Sequence, residues 1–175
     1  MTIGRSSAYW SANRYSDPDA PPDPGAPLTD LPAAAAGRFR AMRTGLLAIK
    51  GVAESVRYMG TNWRWSWEYG IGNRKLCWLH VVGNGLSATF TLSDMEESRI
   101  RAIPRLPADL ARAVAEAQRT GPVRWCWLEL TDRRIVDGFL TFARRKGEWL
   151  SERPAPHRGP RAKGARRRPE DLETE

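Results

Sequence analysis

Tryptophan recurs on alternate positions at Trp63, Trp65 and Trp67, Tyr69 continues the series, and Trp78, Trp125 and Trp127 repeat it downstream. A period of two is that of an extended strand with one apolar face. Each tryptophan can bury up to about 250 Å², so six left in water would form an apolar patch on the order of 1,000 Å², far beyond what monomers show. The ladder therefore predicts a covered sheet. The margin of the aromatic cluster is the natural place for a flat or cationic ligand to stack.

The surrounding pattern supplies the other elements. Phe39, Met42, Leu46, Ile49, Ala53 and Val56 step by three or four and predict one long helix from about residue 32 to Gly60. Three strands follow, Trp63–Tyr69, Arg74–Val82 and Leu86–Leu92. Gly70-Ile71-Gly72-Asn73 and Gly83-Asn84-Gly85 join them as hairpin loops. Ser93 and Glu96 form a capping box that opens a short helix. A second short helix is expected from about Pro107 to Arg119, then a strand Val123–Leu130 and a helix that Asp132 can cap. The order predicts an α+β fold: a four-stranded, mainly antiparallel sheet, a three-strand meander plus a fourth strand, packed against about four helices.

Register follows from the hydrophobic pattern. A four-residue first loop sets Trp67 opposite Leu76, Trp65 opposite Trp78 and Trp63 opposite His80. For the second hairpin, an Asn84-Gly85 turn would pair Trp78 with Thr91, and a three-residue loop would pair it with Phe90. The three-residue loop is preferred because it collects Trp63, Trp65, Trp67, Leu76, Trp78 and Phe90 on one face. Arg64, Ser66 and Glu68 then lie behind, with Cys77, Leu79 and Val81 half exposed as a homodimer or ligand surface.

Charge separates this region from the ends. The net charge is +8, yet residues 1–31 carry Arg5 and Arg14 against Asp17, Asp19, Asp23 and Asp30. Their prolines withhold amide donors and disfavour helix, so 1–31 reads as a disordered Pro/Asp-rich arm and 32–150 as a single α+β domain. Residues 151–175 read as a disordered tail, basic from Arg153 to Arg168 and acidic from Glu170 to Glu175. Within it Arg161, Lys163, Arg166, Arg167 and Arg168 are the candidate nucleic-acid contacts. No secretory signal and no membrane-spanning run is visible, and Cys77 and Cys126 read as buried free thiols, which places the chain in the cytoplasm without a membrane partner.

Chemistry-bearing residues are few. His80 stands alone in the aromatic pattern, where a histidine serves more often as a hydrogen-bonded core residue than as a ligand. A zinc site needs three or four ligands, and no metal or cofactor motif is present. Glu68 is expected to make a cross-strand ion pair with Lys75, or to offer its carboxylate to a ligand. The glycine loops lead into strands rather than helix N-termini, so they are not phosphate cradles. Trp63, Trp65, Trp78, Glu68 and His80 are the candidate ligand-binding residues, with no catalytic residue assigned.

Trp65 and Tyr69, Lys75-Leu76-Cys77-Trp78, Ala88-Thr89-Phe90-Thr91-Leu92, Gly121 to Trp127 and Asp132 to Lys146 together resemble landmarks of an uncharacterised bacterial family, number 3788 among the domains of unknown function. The resemblance covers about residues 38–150 and implies fold rather than activity. The expected function is a non-catalytic module that binds a small molecule or a protein. The alternatives are a nucleic-acid-associated protein acting through its tail, and an enzyme using Glu68 or His80.

Overall fold

A computed structural model of the chain describes residues 6–152. Before the sheet come α1 (Ser7–Ser11), α2 (Pro27–Asp30) and α3 (Ala33–Leu47). Then follow β1 (Val52–Tyr58), α4 (Gly60–Trp63), β2 (Trp65–Ile71), β3 (Arg74–Val82) and β4 (Gly85–Ser93). The chain continues through α5 (Asp94–Arg101), α6 (Ala108–Ala115), β5 (Gln118–Thr120), β6 (Val123–Glu129) and α7 (Arg133–Ser151). The class is α+β, but the described residues form a six-stranded sheet with seven helices, not four strands with about four helices. The strand order is β1-β2-β3-β4-β6-β5, antiparallel throughout.

Both additional strands lie where a helix was expected to continue. The stripe running to Val56 breaks at Leu47, and Gly51 turns the chain at a φ of 81°. Val52, Val56 and Tyr58 are residues that suit a pleated surface. They become β1, paired with β2 from Val52↔Ile71 to Tyr58↔Trp65. Likewise α6 stops at Ala115, and Gln118–Thr120 turns back onto β6 as β5. The capping box at Ser93 and Glu96 does open α5, and Asp132 accepts from the Ile135 amide at 2.9 Å to cap α7.

The hairpin turns revise the register. All three are two-residue turns with glycine first at positive φ: Gly72-Asn73 (57°), Gly83-Asn84 (58°) and Gly121-Pro122 (59°). A leading glycine is the requirement of the hairpin turn that matches strand twist. Trp78 therefore faces Thr89, and His80 faces Ser87, rather than Phe90 and Ala88. In the first hairpin Gly70 pairs with Lys75 and Tyr69 with Cys77, so Leu76 is an extra residue in β3. This bulge turns both Leu76 and Cys77 toward the same core. Trp67 then faces Leu79 rather than Leu76.

The tryptophans are consequently divided between two faces. Trp67 and Tyr69 join Leu79, Val81, Phe90 and Leu128 under α3 and α7. Trp78 projects from the other face with Trp125 and Trp127, where Trp10 and Trp63 pack on them. Cys77, Leu79 and Val81 are completely buried on the helix side, so the half-exposed surface expected there does not exist. Cys77 and Cys126 share that side, but β4 lies between their strands. Two strand spacings of about 4.8 Å keep them beyond disulfide reach.

Residues 6–31, expected as a disordered arm, are laid along the sheet. The Gly83 amide donates to Ala12 O at 2.7 Å, and the Arg14 amide to Val81 O at 3.0 Å. Asn13 Nδ2 donates to Trp63 O at 2.7 Å, and the Trp65 amide to Tyr15 O at 3.3 Å. Ala12–Tyr15 thus supplies the backbone partners that β2 and β3 lack where the two strands part. Further along, Trp65 and Trp67 donate their indole N–H groups to Asp17 O (2.6 Å) and Pro24 O (2.9 Å). The prolines do not exclude helix from this segment, since α1 precedes them and α2 opens on Pro27, but between the two helices the chain runs as a strap that needs only occasional partners, and the indoles provide them. Of the expected tail, Ser151 ends α7 and Glu152 caps it, while residues 153–175 lie outside the described residues.

On the helix side two polar groups are built into the packing. Arg43 holds Glu54 through Nε at 2.9 Å and Nη2 at 2.8 Å, and the Tyr69 hydroxyl donates to Glu54 at 2.6 Å. Lys146, 1% exposed, donates to Glu96 Oε1 at 2.6 Å and Thr91 O at 2.8 Å. Glu96 also accepts from the Ser93 amide, so the capping box and the buried lysine share one carboxylate. No helix of the described residues is long and apolar enough to cross a membrane.

Candidate functional site

On the face away from α3 and α7, His80 is the hub of an aromatic cluster. Trp10 and Trp63 each stand nearly perpendicular to its ring at 4.9 Å between centroids. Trp63 in turn packs against Trp78 at 5.8 Å and Trp125 at 5.4 Å. The His80 ring nitrogens are engaged by Ser66 Oγ and Thr89 Oγ1, both at 2.9 Å. Complete burial pushes the imidazole pKa down to about 3, so His80 is neutral near pH 7. A neutral imidazole with both nitrogens occupied and no access to solvent has no proton to trade with a ligand. This is the hydrogen-bonded core histidine that the sequence favoured.

Glu68 sits beside this cluster, on the face of Trp78 rather than behind it. Its carboxylate accepts from Lys75 Nζ at 2.6 Å and from the Trp78 indole at 3.0 Å, and Arg57 Nε lies at 3.3 Å. Burial pushes its pKa up, but the hydrogen bonds from Lys75 and Trp78 and the nearby cations outweigh that and hold it below the usual carboxylate range. The expected pair with Lys75 is present, and the carboxylate is fully spoken for.

Of the five candidate residues, the structure brings together Trp63, Trp78 and His80, with Glu68 against Trp78. Trp65 is elsewhere, edge-on to Tyr58 at 5.6 Å and tied to Asp17. The cluster is closed: Trp63 is 8% exposed, Trp78 5% and Trp10 1%. The residue that sequence reasoning missed is Trp10. The one available signal was a large aromatic inside an otherwise polar, proline-bearing arm, which has no reason to be there unless it docks. The proposed nucleic-acid contacts Arg161, Lys163, Arg166, Arg167 and Arg168 lie outside the described residues.

The cluster opens only at its margin. Trp125 and Trp127 are half-buried. The β5 pairing reaches only to Trp125, so from Cys126 onward β6 has no strand neighbour on that side, and α6 packs near it. A cleft of about 340 Å³ occupies this gap, with Trp127 and Ile135 among its walls and Asp109, Arg112, Glu116 and Glu129 around it. Asp109 is bound by Arg112 at 2.9 Å and Arg134 at 3.0 Å. Burial raises the thiol pKa of both cysteines, which leaves them protonated and inert at neutral pH. Among the described residues no group of three His, Cys, Asp or Glu could hold a metal ion.

Fold and site together define an α+β protein whose sheet is covered on one face by helices and on the other by an aromatic strap. No family model, curated protein or solved structure matches the chain.

Proposed function

We propose that the chain is a non-catalytic binding module that takes a small molecule with a flat or cationic body against Trp127. The cleft between β6 and α6 carries this reading, because it joins an aromatic wall to a mostly acidic rim in a chain of net charge +8. An aromatic face with carboxylates nearby suits stacking and cation–π contact. The engagement of His80 and Glu68 supports binding over acid–base chemistry, since both groups are held by the protein itself. The resemblance to family 3788 belongs to the same proposal and adds no residue roles to it.

A thermal-shift screen of heteroaromatic amines on the full chain tests the reading. A ligand present at about 100 times its Kd stabilises by about 2.7 kcal/mol, and Trp127→Ala abolishes that shift. Equal stabilisation of the wild type and the variant refutes it. The nucleic-acid reading rests on the seven Lys and Arg residues between Arg153 and Arg168. Salt-dependent DNA binding that survives deletion of residues 153–175 would remove the tail from that role.

A further inference from the structure

A second cleft, separate from the one at Trp127, lies where the loop between α5 and α6 crosses the middle of α7. It has a volume of about 200 Å³, and Pro104, Pro107, Leu110 and Phe142 give it an apolar interior. Arg105 and Arg145 are its only charged lining residues. Both are exposed. Nine arginines of the described residues make ion pairs, and these two are not among them. Arg14, Arg38, Arg40, Arg64, Arg74 and Arg144 likewise make no ion pair among the described residues, but none of them lines this cleft, where Arg105 and Arg145 set two cationic donors beside an apolar hole. Guanidinium groups recognise carboxylates through parallel N–H donors.

The backbone holds one of these arginines in place. Arg105 has a φ of 55°, a left-handed conformation that a non-glycine residue adopts only when its surroundings impose it. The constraint is visible: Pro107 packs so closely on α7 that a Cβ at Gly138 would lie 3.1 Å from Pro107 Cγ. The loop is thus clamped to the helix that carries Arg145.

We propose that this cleft binds a small monocarboxylate with an apolar body, its carboxylate held by Arg105 and Arg145 and its body lodged against Leu110 and Phe142. The volume admits a body about the size of a benzyl group and excludes drug-sized ligands. Neither half of the ligand suffices alone. Inorganic phosphate offers charge without a body to fill the hole, and a neutral amide offers the body without the charge.

The test is an amide NMR titration of the full ¹⁵N-labelled chain with phenylacetate, phenylacetamide and inorganic phosphate. Phenylacetate is expected to shift the Arg105, Leu106, Gly138, Thr141 and Arg145 amides saturably, with a Kd in the millimolar range or tighter, as about ten ligand atoms permit. Arg105→Gly and Arg145→Gln are each expected to weaken binding by about tenfold or more. Arg105→Gly separates binding from folding, because glycine is at ease at this φ and its melting temperature is expected to equal or exceed that of the wild type. The proposal is overturned by the absence of saturable shifts up to about 10 mM ligand, or by shifts centred on other residues. It is equally overturned by phenylacetamide or phosphate binding as well as phenylacetate, or by unchanged affinity in both variants.

Discussion

Lowering the pH from 7 to 5 should cost this protein about 2 kcal/mol of stability through His80 alone. The imidazole pKa is about 3 in the folded chain, against 6.5 for an ordinary histidine. Imidazole becomes charged by gaining a proton, which its buried position among Trp10, Trp63, Ser66 and Thr89 resists. Between those two values the unfolded chain therefore binds the extra proton, and stability falls as pH falls. The slope approaches about 1.4 kcal/mol per pH unit below 6.5, which gives the loss of about 2 kcal/mol by pH 5. The window is clear of carboxylates. Glu68 and Glu96 are held below the usual carboxylate range, so their contribution is present above that range and is lost only on further acidification. Urea unfolding at pH 7, 6 and 5 measures the effect. His80→Gln should flatten the profile, while replacing His157, outside the described residues, should leave it intact. A wild-type profile that is flat between pH 7 and 5, or a His80 ring titrating near 6.5, would refute the reasoning.

Three further outcomes test the rest of the architecture. Trp10→Ala should cost about 3–5 kcal/mol in urea or thermal unfolding, because the ring is 1% exposed and seals the aromatic face. Trp10→Phe should recover most of that, since the indole N–H finds no acceptor among the described residues. Lys146→Met removes one partner of a buried pair and should cost about 3–5 kcal/mol. NMR should then show the Glu96 pKa rising, since burial pushes it up and Lys146 holds it down. Finally, Cys77 and Cys126, both completely buried, should resist a water-soluble disulfide reagent in the native protein and react together once guanidinium unfolds it.

Alternation made the strands legible, and turn residues marked their ends, but neither fixed which way the side chains point. The reason lies in β3. Leu76 through Val81 are all buried, because helices cover one face and the Trp10 strap covers the other. When both faces are covered, the contrast between apolar and polar positions disappears, and pattern loses its power over register. The turns then decide. Asn84-Gly85 looks like the commonest hairpin turn, but Gly83 takes the positive φ, and the register moves accordingly. Gly72 and Gly121 follow the same rule, so a leading glycine was the better guide throughout. The helical stripe through Val56 failed for a different reason. Val52 and Val56, four apart, share a face in a strand as well as in a helix, and β1 gains seven cross-strand partners from β2 that an isolated helix would forgo.

The same two-sided burial explains why the candidate site was only half legible. Tryptophan, histidine and a carboxylate close together suggest a place for a ligand, and Trp63, Trp78, His80 and Glu68 do meet. Their partners come from within the fold: Trp10 covers the rings, Ser66 and Thr89 take the imidazole, and Lys75 takes the carboxylate. Satisfied groups leave little for a ligand to gain, so binding has to be sought where the coverings stop. Among the described residues, two such places stand out. One is beyond the three residues of β5, and the other is beneath the loop that carries Arg105. Neither gap is visible in the sequence, because each is set by the length of a neighbouring element rather than by the residues that line it. Both take a wall from α6: Asp109 and Arg112 at the first, Leu110 at the second. Since Asp109 also joins α6 to Arg134 of α7, the seating of one eight-residue helix shapes both clefts. A substitution that shifts α6 should therefore alter ligand response at the two together, whereas Trp127→Ala and Arg105→Gly should each silence one and leave the other.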